Sequence, residues 1–277
     1  MTIVVTGATG PFGRHAVESL LARGVSATEI VATGRDVDKI AGLGVTVRQA
    51  SYDDPAALRA AFEGAAKLLL VSGSEIGRRI PQHRNVIEAA KDAGVSRVVY
   101  TSAPKADTSD MKLVSEHLAT EQLILDSGLP SAFLRNSWYV ENYNVPTALE
   151  HGLFGAAGDG KISGAPRADY AEAAAAALLT DNPKQVYELG GEPFTLAELA
   201  AEISRQSGRE VTYTDLPEEK YAELLVGVGV PEPVAAILAD SDRAAAKGAL
   251  HVEGDDLATL LGRPPTPLAE AIKAALA

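Results

Sequence analysis

The most constraining feature of this chain stands near its start. An apolar run, Ile3–Thr6, passes directly into Gly7-Ala8-Thr9-Gly10-Pro11-Phe12-Gly13, and a helical pattern from about Phe12 to Arg23 follows, closed by Gly24. A continuous apolar run is how a strand buried on both faces reads. A turn of small residues lets the backbone bend sharply and approach a diphosphate, while the helix behind it presents unpaired amides and the positive end of its dipole. Gly13 permits close packing of helix on strand, and Pro11 has no amide to leave unsatisfied. Gly7, Thr9, Gly10, Pro11, Phe12 and Gly13 are therefore the first candidates for holding a dinucleotide.

The chain that follows supports this reading over an unliganded tight turn. Strands are expected at Ile30–Thr33, Val45–Gln49, Leu68–Val71, Arg97–Thr101 and Ser131–Leu134, with helices Pro55–Glu63, Pro81–Ala93 and Lys112–Asp126 between them. Pro at helix starts and Gly at helix ends punctuate the series. The alternation predicts an α/β fold, a Rossmann-type doubly wound parallel sheet. The second half carries fewer strand signals, at Gln185–Leu189 and Val211–Thr214. Its helices are expected at Ala168–Leu179, Leu196–Ser207, Glu218–Val226, Pro233–Lys247, Asp255–Leu261 and Leu268–Leu276. The expected division is a coenzyme domain of residues 1–139 plus about 168–191, and a smaller, mostly helical lobe of about 140–167 plus 192–277, capping the cleft.

The residue after the second strand of such a fold selects the coenzyme. A carboxylate there accepts the ribose 2′-hydroxyl, and an arginine pairs with a 2′-phosphate. Thr33-Gly34-Arg35-Asp36 puts the guanidinium first, so NADPH is expected, with Arg35 on the phosphate and Asp36 as an N-cap. Tyr52 and Asp53, past the third strand, are candidates for the adenine side. Val71, Ser72 and Gly73, and then Thr101 and Ser102, follow the fourth and fifth strands, where the nicotinamide half belongs. Arg167 is a further candidate for the coenzyme, with Asp169 expected to cap its helix.

What is missing points to the acceptor. Carbonyl-reducing short-chain dehydrogenases use a Tyr-x-x-x-Lys pair to protonate an alkoxide, and none of the eight tyrosines has a lysine four residues on. A quinone needs less help, because its reduction product spreads charge over a ring and is a weak base. Ser131–Tyr143 reads SAFLRNSWYVENY, holds the only Trp, and leaves a strand at the carboxyl edge. Asn136, Trp138, Tyr139, Asn142 and Tyr143, with Ser74, are the candidates for an acceptor pocket with flat apolar walls. The same rings could instead dock the second lobe.

Other functions are excluded by composition. A net charge of −12 without any basic block disfavours nucleic acid and anionic membranes. The absence of cysteine removes disulfides and thiolate chemistry. The five histidines show no metal-ligand spacing, so no metal is expected, and His83 reads as a solvated helix position. No charged leader precedes Ile3, and no run approaches the roughly 18 apolar residues that span a bilayer. A cytoplasmic protein is therefore expected, and a homodimer is left open.

Several stretches together resemble one family, the type 2 NAD(P)H:quinone oxidoreductases in the NmrA-like branch of atypical short-chain dehydrogenases. They are TGATGPFGR, VRQASYDD, KLLLVSGSEIGRRIPQHRNVIEAAK, LRNSWYVENY, GAAGDGKISGAPRADYA, VYELGG, ADSDRAAAKGAL and LLGRPPTPLAEAI, in order along nearly the whole chain. The resemblance implies a Rossmann lobe, a small helical lobe, NADPH binding and quinone reduction without a Tyr/Lys pair. It puts the phosphate loop on Gly7–Gly13, the phosphate arginine on Arg35 and the cleft segment on Asn136–Tyr143. The chain departs at Pro11-Phe12, where the family more usually has Gln-Leu. Two other functions fit the same residues: a non-catalytic NADP-binding redox sensor of NmrA type, and a reductase of triphenylmethane-type dyes.

Overall fold

A computed structural model describes residues 1–277. The strands are β1 (Thr2–Val5), β2 (Ile30–Gly34), β3 (Thr46–Gln49), β4 (Ala65–Leu70), β5 (Arg97–Ser102), β6 (Ser131–Asn136), β7 (Leu153–Gly155), β8 (Val186–Leu189) and β9 (Tyr213–Asp215). The helices of the first half are α1 (Pro11–Ala22), α2 (Pro55–Ala61), α3 (Arg79–Asp92) and α4 (Lys112–Ser127). Those of the second are α5 (Val145–His151), α6 (Arg167–Leu179), α7 (Leu196–Ser207), α8 (Glu218–Gly227), α9 (Glu232–Ala246), α10 (Asp256–Leu261) and α11 (Leu268–Ala275).

Seven strands form one parallel sheet in the order β3-β2-β1-β4-β5-β6-β8. This is the expected doubly wound arrangement. The order reverses between β1 and β4, and that reversal opens a crevice at the carboxyl ends of the strands. Two apolar cores cover the faces of the sheet, one under α1 and α6, the other under α2, α3 and α4. In α6 the run Ala173–Ala177 is buried on every side, between the sheet, α1 and α10. Alanine fills this position because the helix has neighbours all round and only a methyl group fits between closely approaching backbones.

A third core holds the smaller lobe, in which α5, α7, α9 and α11 pack around a two-stranded sheet of β7 and β9. Neither α5 nor β7 was expected, since a three-residue strand carries no alternating pattern. The strand expected at Val211–Thr214 lies at Tyr213–Asp215. α10, expected in the smaller lobe, packs instead on α6 and β8 in the core of the sheet.

Asp169 is not the cap of α6, where Pro166 occupies that place. Its buried carboxylate accepts from Arg263 Nη2 at 2.9 Å, Thr266 N at 2.6 Å and Thr266 Oγ1 at 3.0 Å, tying the C-terminal segment back onto the sheet layer. Asp36 likewise makes no cap bond and faces Lys39 Nζ at 3.3 Å. Asp54, in contrast, caps α2 by accepting from the amides of Ala56 and Ala57.

Asp242 on α9 is buried in the smaller lobe and accepts one amide, from Ala156 at 3.0 Å. Burial pushes its carboxyl up to about 7, the Ala156 amide opposes that rise, and Asp215 adds to it. An unfolded chain would ionise this group near its ordinary value of 3.8. Its contribution is therefore fully present below that value and is lost as pH rises through the folded value. Asp242→Asn keeps an acceptor for Ala156 and removes the charge. Its stability gain over the wild type should grow from pH 4 to pH 8, reaching on the order of 4 kcal/mol at ~1.4 kcal/mol per pKa unit. Thermal melts at the two pH values check this, and a gap independent of pH contradicts it.

Candidate active site

The site begins at the turn after β1. Gly7 sits at φ +61°, a region that favours glycine, and the amide of Ala8 donates to Thr33 O at 2.9 Å, pinning the turn to β2. A Cβ on Gly13 would meet Gly7 O at 2.5 Å and Ala8 Cα at 2.7 Å, so α1 rests directly on the turn. Gly10 stands at the N-cap and supplies no side-chain acceptor, Pro11 opens the helix, and the amides of Phe12 and Gly13 have no backbone acceptor. Free amides and a helix dipole then converge on one point, which suits a diphosphate.

A cleft of about 370 Å³ runs from this point along the strand ends. Of the residues singled out from the sequence, Gly7, Thr9, Gly10, Pro11, Phe12, Arg35, Tyr52, Val71, Ser72, Gly73, Ser74 and Arg167 line it. Gly13 does not itself line it. Gly34, Ala50, Ser51, Glu75 and Gln82 line it as well and were not singled out. Gly34 leaves room for Thr9, whose side chain a Cβ there would crowd.

Three further coenzyme candidates, Asp53, Thr101 and Ser102, also lie outside this lining, each engaged elsewhere. Asp53 accepts from Arg78 Nη2 at 2.7 Å and Gln82 Nε2 at 3.2 Å. Thr101 is buried and accepts from the Ser72 amide at 2.8 Å, supporting the wall from behind. Ser102 is buried and donates to Glu121 at 2.6 Å.

Two groups, the half-buried Tyr52 and the buried His83, shape the middle of the cleft. Tyr52 Oη lies 2.6 Å from Thr6 Oγ1 and 2.7 Å from Val71 O, and burial pushes its pKa above the ordinary tyrosine value. His83 is fully buried, contrary to the solvated position expected for it. Its Nε2 accepts from the Gly73 amide at 3.0 Å and its Nδ1 lies 2.9 Å from Thr120 Oγ1. Burial, reinforced by the positive charge of Arg79, pushes it down to about 3. The ring is thus neutral at physiological pH and serves as a fixed acceptor for the loop after β4.

The aromatic segment after β6 divides. Arg135 is buried and pairs with Glu121 at 2.8 Å and Glu188 at 3.1 Å, fixing the carboxyl ends of β6 and β8 to α4. Next in the chain, Asn136 donates through Nδ2 to Tyr139 Oη at 3.2 Å, and its Oδ1 has no partner. Tyr139 packs near Phe12, with ring centroids 6.2 Å apart, and the Arg167 guanidinium stands 5.0 Å over its ring. These contacts place Asn136 and Tyr139 beside the cleft wall formed by Phe12 and Arg167. Trp138 and Tyr143 instead enter the core of the smaller lobe, and Asn142 is exposed in a short 3₁₀ turn. For those two rings the docking role holds, because α5 and α7 of the lobe supply the apolar surroundings they need.

Comparison with known proteins accords with this geometry. The NmrA-like family model matches residues 1–254. Quinone oxidoreductase 2 of Escherichia coli (strain K12) is 51% identical, over 98% of this chain and 97% of that protein. The crystal structure of the NADPH-dependent quinone oxidoreductase QOR2 from E. coli, complexed with NADPH, superposes with a TM-score of 0.95 at 49% identity and covers all of both chains. The Citrobacter sp. triphenylmethane reductase complexed with NADP(H) gives a TM-score of 0.92 at 38% identity, over 99% of this chain and 100% of that one.

Proposed function

The chain belongs to the NmrA-like family, and from that premise we propose that it is an NADPH-dependent oxidoreductase that transfers hydride to a quinone or a similar electron-poor conjugated acceptor, without a Tyr-x-x-x-Lys pair. The observation that carries this is the full-length likeness to a quinone oxidoreductase bound to NADPH, in a chain whose own cleft has the free amides and the guanidinium that such a coenzyme requires.

The residues present fit the coenzyme. The amides of Phe12 and Gly13 hold the diphosphate, and Gly7 and Gly10 let it approach. Arg35 takes the 2′-phosphate. Ala50, Ser51 and Tyr52 flank the adenine side, while Val71, Ser72 and Gly73 wall the opposite half beside Ser74. Bound there, NADPH supplies the hydride. Thr101 and His83 hold the loop after β4 in register through the Ser72 and Gly73 amides. Tyr139 keeps its phenolic proton, since burial raises its pKa, with the Asn136 bond and the Arg167 charge opposing that rise. The side chains of Asn136, Tyr139 and Arg167 give the far end of the cleft a polar rim on an aromatic wall, suited to a flat conjugated acceptor. A quinone product is a weak base, so a strongly activated acid is unnecessary.

We take residues 1–139 plus about 168–191, with α10 packed on them, as the coenzyme domain, and about 140–167 plus the rest of 192–277 as the lobe that shapes the acceptor side. The proposal includes residence in the cytoplasm and leaves a homodimer open. No helix is long and apolar enough to cross a membrane.

Steady-state NADPH oxidation over a panel of benzoquinones and naphthoquinones tests the reading. Consumption of one NADPH per quinone reduced is expected. Tight NADPH binding with no turnover on any quinone would overturn it and favour a redox sensor. Turnover restricted to triphenylmethane dyes would move the acceptor to that class.

A further inference from the structure

One carboxylate in the cleft holds the guanidinium assigned to the 2′-phosphate. Glu75, in the loop after β4, lines the same cleft as Arg35. Arg35 Nη1 donates to Glu75 Oε1 at 2.8 Å. On the other side, Glu75 Oε2 lies 3.4 Å from Arg78 Nη1 and accepts from Gln82 Nε2 at 3.3 Å, and Arg78 in turn donates to Asp53 at 2.7 Å. In the sheet, β1 lies between β2 and β4. The Arg35–Glu75 pair therefore bridges the loops that follow β2 and β4, across the carboxyl end of β1, where a dinucleotide would run.

We propose that Glu75 is a specificity-setting residue: it competes with the coenzyme's 2′-phosphate for the Arg35 guanidinium, and it yields by withdrawing onto Arg78 and Gln82. The inference rests on the assignment of Arg35 to that phosphate. The exchange is easy in each part. Arg35 is 69% exposed, so its pair with Glu75 is a screened surface pair worth little. A phosphate monoester near neutral pH carries more negative charge than a carboxylate and offers three acceptor oxygens. Glu75 loses one partner and keeps two, so its charge is never left unpaired.

The two coenzymes feel this carboxylate differently. NADPH must displace it before it can use Arg35. NADH has no phosphate to offer, and its 2′-hydroxyl can donate to Glu75 as ribose hydroxyls do to the acidic residue of NAD-binding folds. Glu75 thus weakens NADPH selectively and narrows the difference between the coenzymes.

Glu75→Gln keeps the shape and removes the charge. The Kd for NADPH, measured by nicotinamide fluorescence, should fall roughly two- to fivefold, as befits an exposed ion pair. The Kd for NADH should stay the same or rise. In an Arg35→Ala background the same substitution should leave the NADPH Kd unchanged, because nothing remains to compete for. An unchanged NADPH-to-NADH ratio in the single variant, with normal NADPH binding, overturns this inference and leaves the proposed function standing. So does an equal gain without Arg35, which would mean that the carboxylate repels the phosphate directly. A wild type that binds neither coenzyme removes the proposed function and this inference with it.

Discussion

Gly13→Ala is expected to weaken NADPH binding by roughly 100-fold or more and to destabilise the fold. The added methyl would stand 2.5 Å from Gly7 O and 2.7 Å from both Ala8 Cα and Gly7 C. All three are backbone atoms, so no side chain can swing aside, and α1 must move off the turn. Overpacking of this kind costs about 1–3 kcal/mol. The larger effect falls on the ligand, because moving α1 carries the Phe12 and Gly13 amides away from the diphosphate. Each bond from such a donor to a charged group contributes about 1.5–3 kcal/mol. Gly42→Ala is the control: a Cβ there meets nothing within 4 Å. It should leave both melting temperature and NADPH affinity unchanged. Equal affinity for NADPH in Gly13→Ala and wild type would show that the start of α1 does not hold the coenzyme.

Arg35→Ala is expected to raise the Kd for NADPH roughly 10- to 100-fold while changing that for NADH less than about threefold. A guanidinium presents its donors in a planar fork that matches two phosphate oxygens, and such charge-assisted pairs are about twice as strong as neutral ones. Removing it leaves the 2′-phosphate without its cationic partner. NADH lacks that group and loses only stacking against the side chain. The effect should shrink with salt, since Arg35 is well exposed. Equal losses for the two coenzymes would remove Arg35 from the phosphate site.

The N-terminal lobe was legible because its physics is local. Strands buried on both faces must be continuously apolar, and helices that pass under a sheet end where the chain turns back, so Gly24, Gly94 and Gly128 mark three helix ends, each at positive φ. The phosphate turn was legible for a related reason: close backbone approach admits only small residues at Gly7, Gly10 and Gly13, whatever the rest of the chain does. The smaller lobe was less so. β7 has three residues, and its pairing with β9 joins segments far apart in the chain. The chemistry of α6 also misled, since an acidic residue in a first turn suggests a cap, yet Asp169 is committed to Arg263 and Thr266 at the other end of the sequence.

Within the site, misplacements share a cause. Asp53, Thr101 and Ser102 sit at strand ends, where polar groups are as useful for bracing loops as for meeting ligands, and here they brace Arg78, Ser72 and Glu121. Trp138 and Tyr143 bear rings that suit a cleft wall or a lobe interior equally well, and only their surroundings decide. Glu75 and Gln82 were not singled out because their reach into the cleft depends on how the loop after β4 folds back, and that is set by His83 and Arg79 gripping Gly73 from beneath. No local pattern announces a histidine that works as a buried acceptor.

The wild-type arm of the Arg35 titration tests the central claim most directly. Purified protein titrated with NADPH and NADH in parallel should take up one NADPH per chain, and should hold it more tightly than NADH at low ionic strength, with the difference narrowing as salt is added. Failure to take up either reduced coenzyme, or equal affinity for both at every salt concentration, would contradict the account.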